Sequence, residues 1–262
     1  MNTRNIPAVV INLERRPDRL RWFMNNANTS NLKIRQIKAI DAKNEEDLKL
    51  IFQYRSQNCK LSDAEIACIL SHRKVWKEFV DSAHSHTAIF EDDVYLSEDT
   101  ATILSYKFLP KDIHLIKLET TFSKITVSEK EYRNIYNRKL FKLLSKHDGS
   151  AGYIVSKYCA TKLLSITENL IIPIDVLLFN ENSVLRNYFD IYQISPAICV
   201  QEFFYSKNNN GTYIFHSDIQ TSRNYKRNKK YAFKFIQRIF KYLNFVLKGA
   251  NPFCYRKSIR YK

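Results

Sequence analysis

Three carboxylates follow one another directly after an apolar run, in the segment Ile89-Phe90-Glu91-Asp92-Asp93-Val94. Negative charges at this spacing repel one another unless water solvates them or a cation offsets them. Carboxylate oxygens are the ligands that Mg²⁺ and Mn²⁺ prefer, and both ions keep open positions for a substrate diphosphate. The triplet Glu91, Asp92 and Asp93 therefore predicts a site for a hard divalent cation. The alternative is a solvated acidic loop that caps a helix after Ser97.

The surrounding elements indicate that the triplet lies at the edge of a sheet. Apolar or alternating runs predict strands at 8–13, 34–40, 86–90, 113–118, 139–144, 152–156 and 191–194. Amphipathic runs predict helices from Pro17, over 62–82, over 157–169 and from Pro173. Strands that alternate with helices are typical of an α/β fold with a central, mostly parallel sheet. Ligands of such sheets bind outside the carboxyl ends of the strands, where the triplet follows its strand.

A capping box marks the start of the helix over 62–82. In Ser62-Asp63-Ala64-Glu65, the serine hydroxyl can accept a hydrogen bond from the Glu65 amide, while the glutamate reaches back to the backbone of Ser62. His72 lies seven residues after Glu65, on the same face of this helix. A single helical histidine is by itself more often a structural residue than a ligand.

The composition excludes some ways of binding a nucleotide. The four glycines form neither of the phosphate-binding patterns G-x-G-x-x-G and G-x-x-x-x-G-K. The five cysteines form no C-x-x-C pair and their number is odd, which is typical of free thiols in a reduced compartment. The sequence shows no signal-peptide pattern, and no run reaches the roughly 18 apolar residues of a membrane span. We therefore expect a cytoplasmic protein.

The net charge of +16 is distributed unevenly over the 262 residues. Thirteen of the 42 basic residues lie between Arg223 and Lys262, and no acidic residue follows Asp218. The other 29 basic residues face all 26 acidic ones, so residues 1–222 carry a net charge of only +3. We expect a nearly neutral domain over 1–222 and a basic tail over 223–262.

The basic tail also carries an amphipathic pattern. Between Phe235 and Lys248, apolar residues recur at helical spacing and basic residues occupy the other side. Three interpretations are compatible with this pattern. In the first, the tail forms an interfacial helix that lies on an anionic membrane surface. In the second, its basic and aromatic side chains bind single-stranded nucleic acid. In the third, the tail packs on the body of the protein.

Several motifs, in the same order over residues 6–223, resemble those of glycosyltransferase family 25. This family contains bacterial lipooligosaccharide galactosyltransferases and related collagen-modifying enzymes. The motifs are Val9-Val10-Ile11-Asn12-Leu13-x-Arg15-Arg16-Pro17-Asp18-Arg19, Lys38-Ala39-Ile40-Asp41, Leu61-Ser62-x-x-Glu65-Ile66-x-Cys68-x-x-Ser71-His72-x-x-x-Trp76, Phe90-Glu91-Asp92-Asp93-Val94, Gly152-Tyr153-Ile154-Val155-Ser156, Ala160-x-x-Leu163-Leu164, Pro173-Ile174-Asp175 and Ser217-Asp218-Ile219. The sequence departs from the family at Ala64 and Ala67, where members often carry glycine.

The resemblance implies a GT-A fold, an inverting mechanism, a UDP-sugar donor and a divalent cation, commonly Mn²⁺, with Mg²⁺ as the alternative. The triplet takes the place of the D-x-D motif of GT-A enzymes. By that analogy, Asp93 binds the metal directly, and Glu91 faces the ribose or the waters of the metal. Some GT-A enzymes use a late histidine as a further metal ligand, and His216 is positioned for that role, with His147 as the alternative. The resemblance also places His72 near the nucleotide.

Transfer from a UDP-sugar requires groups that stabilise the departing diphosphate. Because glycine-rich loops are absent, a metal and basic residues must supply this stabilisation. Asn12, Arg16 and Arg19 follow the first strand and are candidates to contact the uridine or its phosphates.

An inverting transfer also requires a general base that takes the proton of the acceptor hydroxyl. The first candidate is Asp175, just after Pro173, and the alternatives are Asp148 and Glu119. The position of Asp175 is equally compatible with a carboxylate that stabilises the N-terminus of a helix.

Together these features predict a hexosyltransferase that moves galactose from UDP-galactose onto the growing, lipid-linked oligosaccharide of lipooligosaccharide. Such an acceptor favours the membrane interpretation of residues 223–262, with the enzyme peripheral on the cytoplasmic face of the inner membrane of a Gram-negative bacterium. UDP-glucose is the alternative donor. The two sugars differ in the configuration of one hydroxyl group, and no feature of the sequence indicates which configuration the enzyme recognises. A basic nucleic-acid-binding protein is the alternative from another class. We expect no nucleic-acid partner.

Overall fold

The helices and strands follow the apolar pattern of the sequence. The computed structural model of the protein describes residues 5–55, 59–169, 172–209, 211–215 and 254–262. The strands are β1 (Ala8–Asn12), β2 (Ile34–Lys38), β3 (His86–Glu91), β4 (Val94–Leu96), β5 (Leu115–Lys117), β6 (Glu119–Thr120), β7 (Lys124–Ser128), β8 (Arg133–Ile135), β9 (Arg138–Lys142), β10 (Gly152–Ser156), β11 (Ile191–Ser195), β12 (Cys199–Gln201) and β13 (Cys254–Ser258). The helices are α1 (Pro17–Thr29), α2 (Glu45–Tyr54), α3 (Asp63–Val80), α4 (Thr100–Ile103), α5 (Lys157–Asn169), α6 (Ile174–Phe179) and α7 (Glu202–Asn208).

Eight strands of the described chain form the central sheet, in the order β2-β1-β3-β10-β5-β11-β9-β8. β1 runs parallel to both β2 and β3, and β5 runs parallel to β11. β9 and β10 run opposite to the other six strands of this sheet. The predicted α/β class with a large central sheet is confirmed. Its strands run mostly in one direction, although β9 and β10 make the sheet mixed.

The sheet is covered on both faces, and β1 shows why its central strands are rich in apolar residues. Side chains of a strand alternate between the two faces of its sheet. Val9 and Ile11 pack in one core cluster with Trp76 of α3, whereas Val10 packs in a second cluster with Phe23 of α1. All five residues of β1 are buried. Each buried valine or isoleucine side chain contributes roughly 1.5–3 kcal/mol by leaving water.

The predicted capping box fixes the start of α3. The Ser62 hydroxyl accepts a hydrogen bond from the Glu65 amide at 3.3 Å, and the Glu65 carboxylate accepts one from the Ser62 amide at 2.9 Å. A cap of this kind typically contributes about 1 kcal/mol. It holds the first turns of the helix that carries Cys68 and His72.

A second, smaller sheet holds the backbone that follows the triplet. β12 pairs antiparallel with β4 and parallel with β6. β4 begins directly after Asp93, and the Glu202 amide at the start of α7 donates to the Asp93 carbonyl at 2.7 Å. The turn that carries the triplet is therefore fixed from both sides.

The last residues of the chain return to the body. β13 pairs antiparallel with β7, the Thr120 hydroxyl donates to the Ile259 carbonyl at 2.6 Å, and Arg138 donates to the Lys262 carbonyl at 2.7 Å. Residues 254–262, which the sequence analysis assigned to the basic tail, thus pack on the body. The amphipathic segment over 235–248 lies outside the described residues and stays a prediction. No helix within the described ranges combines the length and the apolar character needed to cross a membrane.

Candidate active site

A cavity of about 570 Å³ opens at the carboxyl ends of β1 and β3. The acidic triplet lies on its wall, together with Arg15, Arg19 and the face of α3 that carries Cys68 and His72. The loop over 148–150 and the start of α6 complete the wall. The edge of the sheet predicted to bind ligand is therefore a cleft with acidic and basic side chains.

Arg19 is the cation that faces the triplet. Its guanidinium contacts the Asp92 carboxylate and lies 3.0 Å from the Asp93 carboxylate, while its side chain is only 11% exposed. Asn12 donates to the second oxygen of Asp92 at 2.6 Å. Asp93 receives weaker contacts from the Gln201 amide, at 3.4 and 3.5 Å. Asp92 is thus engaged at both oxygens, whereas Asp93 has weaker partners, and both aspartates line the cleft.

Burial acts against full ionisation of the two aspartates. It raises the pKa of Asp92 to about 7, although Arg19 acts in the opposite direction. Burial also raises the pKa of Asp93, again opposed by Arg19. Bringing a further positive charge to the triplet would relieve this penalty. The donor set of adjacent carboxylates therefore suits a hard divalent cation such as Mn²⁺ or Mg²⁺.

Glu91, in contrast, is held ionised by its neighbours. Burial alone would raise its pKa, but His72, Ser150 and Arg19 together lower it below the ordinary value. The Ser150 hydroxyl donates to Glu91 at 3.1 Å, and the His72 Nε2 atom lies 3.6 Å from the same oxygen. Both roles predicted for Glu91, contact with the ribose and contact with the waters of the metal, require a charged carboxylate at this position.

His72 is oriented by two buried aromatic side chains. The Trp76 indole N–H donates to the Tyr153 hydroxyl at 3.0 Å, and that hydroxyl lies 2.7 Å from His72 Nδ1. Burial raises the pKa of Tyr153, so its hydroxyl keeps its proton. The direction of its hydrogen bond with Nδ1 follows the tautomer of His72, whose other ring nitrogen, Nε2, faces Glu91. His72 lines the cavity, and its predicted place near the nucleotide stays a prediction.

The cleft offers two kinds of metal ligand. The ligand atoms of Cys68, His72 and Glu91 lie within 4.8 Å of one another. A thiol and an imidazole favour softer ions such as Zn²⁺, whereas the carboxylates of Glu91 and Asp93 favour harder ones. Glu91 is common to both sets.

Two of the predicted nucleotide contacts lie away from the cavity wall. Arg16 pairs with Asp18 at 2.8 Å and lowers the pKa of Asp18 to about 2. Asn12 is 1% exposed and is used to hold Asp92. Neither side chain lines the cavity, and a contact of Asn12 or Arg16 with the nucleotide stays a prediction.

The sequence also contains a signal that Arg19 is the cationic partner of the triplet. Arg19, Phe23 and Ala27 recur every four residues and share the buried face of α1. An arginine on the apolar face of a helix that follows a central strand needs a buried anion as partner. The triplet supplies that anion.

The three general-base candidates differ in their access to the cleft. Asp175 lines the cavity in the first turn of α6, and its carboxylate accepts from the Val176 amide at 3.0 Å. Asp148 also lines the cavity. Glu119 is fully buried and paired with Lys117 at 3.0 Å, so it cannot reach an acceptor hydroxyl.

His216, the predicted further metal ligand, lies outside the described residues. The preceding residue, Phe215, packs with its ring centroid 5.6 Å from the guanidinium carbons of Arg16 and Arg19. The buried Glu202 carboxylate accepts from the Ile214 amide at 3.0 Å and from the Phe215 amide at 3.4 Å. The described chain therefore reaches position 215 beside the triplet.

Comparison with known families decides which kind of protein has this cleft. The family described as "Glycosyltransferase family 25 (LPS biosynthesis protein)" matches residues 5–178, which is more than half of the chain. The chain belongs to glycosyltransferase family 25. The matched residues of this family 25 chain include the triplet, α3 and Asp175, and end before His216.

Individual relatives of this family 25 chain are named for the biosynthesis of lacto-N-neotetraose or of lipooligosaccharide. It is 31% identical over 185 residues to the lacto-N-neotetraose biosynthesis glycosyltransferase LgtE of Neisseria meningitidis, covering 66% of this chain and 65% of the relative. It is 32% identical over 177 residues to the lipooligosaccharide biosynthesis protein lic2B of Haemophilus influenzae, covering 63% of each. The family 25 chain thus spans less than two thirds of either relative. A similar solved structure, a glycosyltransferase involved in the glycosylation of the major capsid of PBCV-1, has a TM-score of 0.42 and 8% identity, covering 75% of this chain and 93% of that one.

The raised pKa of Asp92 gives a prediction for stability. The folded-state value of about 7 lies above the ordinary value of 3.8, so the folded protein holds this proton more tightly than the unfolded chain. The resulting contribution to stability is present at low pH and is lost as the pH rises from about 4 to about 7. Between about pH 5 and pH 7.5, the free energy of unfolding of the metal-free family 25 protein should therefore fall more for wild type than for Asp92→Asn. Urea unfolding in EDTA measures both values.

The surface variant Asp190→Asn is the control for this prediction, since the Asp190 side chain is 46% exposed and pairs with Lys142. It should retain the wild-type pH dependence. If Asp92→Asn retains it as well, the buried triplet is not the source of the effect.

Proposed function

We propose that this family 25 protein is a metal-dependent, inverting glycosyltransferase with a GT-A fold. Its donor is a UDP-hexose, with UDP-galactose as the first choice, and its acceptor is the growing oligosaccharide of lipooligosaccharide. The observation that carries the proposal is the set of adjacent carboxylates at the end of β3. These carboxylates contact the Arg19 guanidinium and line a cleft large enough for a nucleotide sugar. Relatives named for the biosynthesis of lacto-N-neotetraose and of lipooligosaccharide support the choice of acceptor.

Asp93 and Glu91 are the residues that would hold the divalent cation, with His216 as a further ligand. When bound, Mn²⁺ or Mg²⁺ supplies Lewis-acid stabilisation of the departing diphosphate. Asp93 lines the cleft, and Glu91 is kept ionised by His72 and Ser150. Burial raises the pKa of Asp93, so a bound cation would favour the ionised form of its carboxylate.

Arg19 and Arg15 provide the positive charge that the chain itself can direct at the donor phosphates. Both line the cleft, and Arg19 already lies against Asp92 and Asp93. A guanidinium suits this task because its fork of donors matches the geometry of phosphate oxygens. Arg19 thus links the acidic triplet to the diphosphate, which is the part of the donor whose charge increases during transfer.

Asp175 takes the proton of the acceptor hydroxyl in this proposal. It lines the same cleft as the triplet but belongs to α6, so it can approach an acceptor from another wall. Asp148 is the second candidate because it also lines the cleft.

Replacing Asp93 with asparagine tests the metal-binding proposal. The variant keeps the size of the side chain but removes a charge that the cation needs, so kcat/KM should fall by more than about 100-fold. The measurement is UDP release from a panel of UDP-sugars with Mn²⁺, with folding checked by circular dichroism. Asp190→Asn is the matched control and should keep wild-type activity. Full activity in Asp93→Asn would contradict the role of the triplet.

The same assay separates the candidate donors. UDP-galactose should give the fastest release of UDP, and UDP-glucose is the alternative of the same class. Preference for another nucleotide sugar would overturn the choice of donor without affecting the metal site.

Comparison of Asp175→Asn with Asp148→Asn tests the assignment of the base. Loss of a general base typically lowers kcat by about 10²–10⁴-fold while substrate binding persists. We expect this decrease in kcat for Asp175→Asn, with an unchanged KM for the donor, and a much smaller decrease for Asp148→Asn. The reverse order would assign the base to Asp148.

We also propose that the basic segment over 223–253 holds the enzyme on the anionic inner face of the membrane, beside its lipid-linked acceptor. Each Lys or Arg near such a surface contributes about 1 kcal/mol. Deleting residues 223–262 would also remove β13 and the buried Ile259, so charge removal within the full chain is the better test.

The test variant carries five glutamines in place of Lys229, Lys230, Lys234, Arg238 and Lys241. Its co-sedimentation with anionic vesicles should be lost, while UDP release in solution persists. The matched control carries glutamine at five exposed lysines of the body: Lys33, Lys49, Lys77, Lys111 and Lys130. Equal sedimentation of the two variants would contradict the membrane role. Binding of wild type to single-stranded nucleic acid but not to vesicles would favour the other class of partner.

A further inference from the structure

A lysine and a glutamate lie completely buried behind the cleft. Lys117 ends β5 and Glu119 begins β6, both side chains are 0% exposed, and Lys117 Nζ lies 3.0 Å from Glu119 Oε2. Taking two charges out of water is costly, and an apolar pair of similar volume is often at least as stable. The contacts of the pair with its surroundings therefore decide what it does.

Both members of the pair hold the same loop, residues 147–151, through its backbone. Lys117 donates to the Gly149 carbonyl, and Glu119 accepts from the Ala151 amide at 3.0 Å. Gly149 has a φ of +87°, and a Cβ atom there would lie only 2.5 Å from the Glu119 carboxylate. The loop thus rests directly on the buried carboxylate, in a conformation that favours glycine.

The loop in turn contacts both carboxylates of the proposed reaction. The Ser150 hydroxyl donates to Glu91 at 3.1 Å, and the Gly149 amide lies 3.5 Å from the Asp175 carboxylate. Lys117 also lies 4.3 Å from the centroid of the ring of Phe179, the last residue of the helix that carries Asp175. The buried pair therefore contacts the two elements that present Ser150 and Asp175 to the cleft.

We propose that Lys117 and Glu119 are positioning residues, which set loop 147–151 and through it the placement of Glu91 relative to Asp175. Neither side chain lines the cleft, so both act through other residues. This inference rests on the proposed function for its effect on catalysis, but its effect on the loop is independent of that function.

The test compares wild type with the double variant Lys117→Met/Glu119→Leu, which replaces both charges by apolar side chains of similar size. Amide hydrogen exchange should become faster in residues 147–151 and stay unchanged in β1 and α1. At a temperature where circular dichroism shows every variant folded, kcat for UDP-sugar transfer should fall by about 100-fold, as expected for reacting groups displaced by about 1 Å. The KM for the donor should change much less.

Arg138→Met is the matched control. Arg138 is 2% exposed and pairs with Asp99 and the Lys262 carbonyl, away from the cleft. It should lower the melting temperature while leaving kcat and the exchange of residues 147–151 at wild-type values. A second variant, Gly149→Ala, keeps both buried charges and displaces the loop from Glu119, so it should lower kcat even if the double variant does not fold.

The results distinguish failure of the positioning role of Lys117 and Glu119 from failure of the proposed glycosyltransferase function. Wild-type exchange in residues 147–151 of the folded double variant would overturn the inference, as would wild-type kcat in the double variant or in Gly149→Ala. If wild type itself releases no UDP from any UDP-sugar, the proposed function fails, and the exchange measurement alone still decides whether the pair positions the loop.

Discussion

The mutual repulsion of three carboxylates at the end of a buried strand is the constraint on which the rest of the site depends. Glu91, Asp92 and Asp93 cannot all be charged in a partly dry cleft without compensation. The chain compensates each one differently. Asp92 contacts Arg19 and Asn12, Glu91 lies beside Ser150 and His72, and Asp93 contacts Arg19 and Gln201. Burial nevertheless raises the pKa of Asp92 and of Asp93 above the ordinary value, so a further positive charge in the cleft would stabilise both carboxylates.

The body over 1–222 and the basic segment over 223–253 have separate roles in the proposed function. The body over 1–222 carries only +3, so it cannot attract a diphosphate by its net charge. In the proposed function it uses a local arrangement instead, in which the acidic triplet lines the same cleft as Arg15 and Arg19. The strongly basic segment over 223–253 has a separate proposed role, at the membrane.

Sequence reasoning predicted well those features that depend on neighbouring residues. The runs that became β1, β3 and β10 are apolar on both faces, and the capping box of α3 needs only Ser62 and Glu65. Contacts between distant residues were harder to predict. Gln201 reaches Asp93 across 108 positions, through a short strand that no pattern marked. Glu119 resembled a candidate base until its pairing with Lys117 was known.

The central claim is that the triplet binds a divalent cation together with the nucleotide part of the donor. Isothermal titration of UDP into the full chain, once with Mn²⁺ and once with EDTA, tests this claim most directly, because it needs neither the acceptor nor the correct sugar. We expect UDP to bind with Mn²⁺ and to lose at least about tenfold in affinity with EDTA, a difference of about 1.4 kcal/mol. Equal affinity under both conditions would contradict the account.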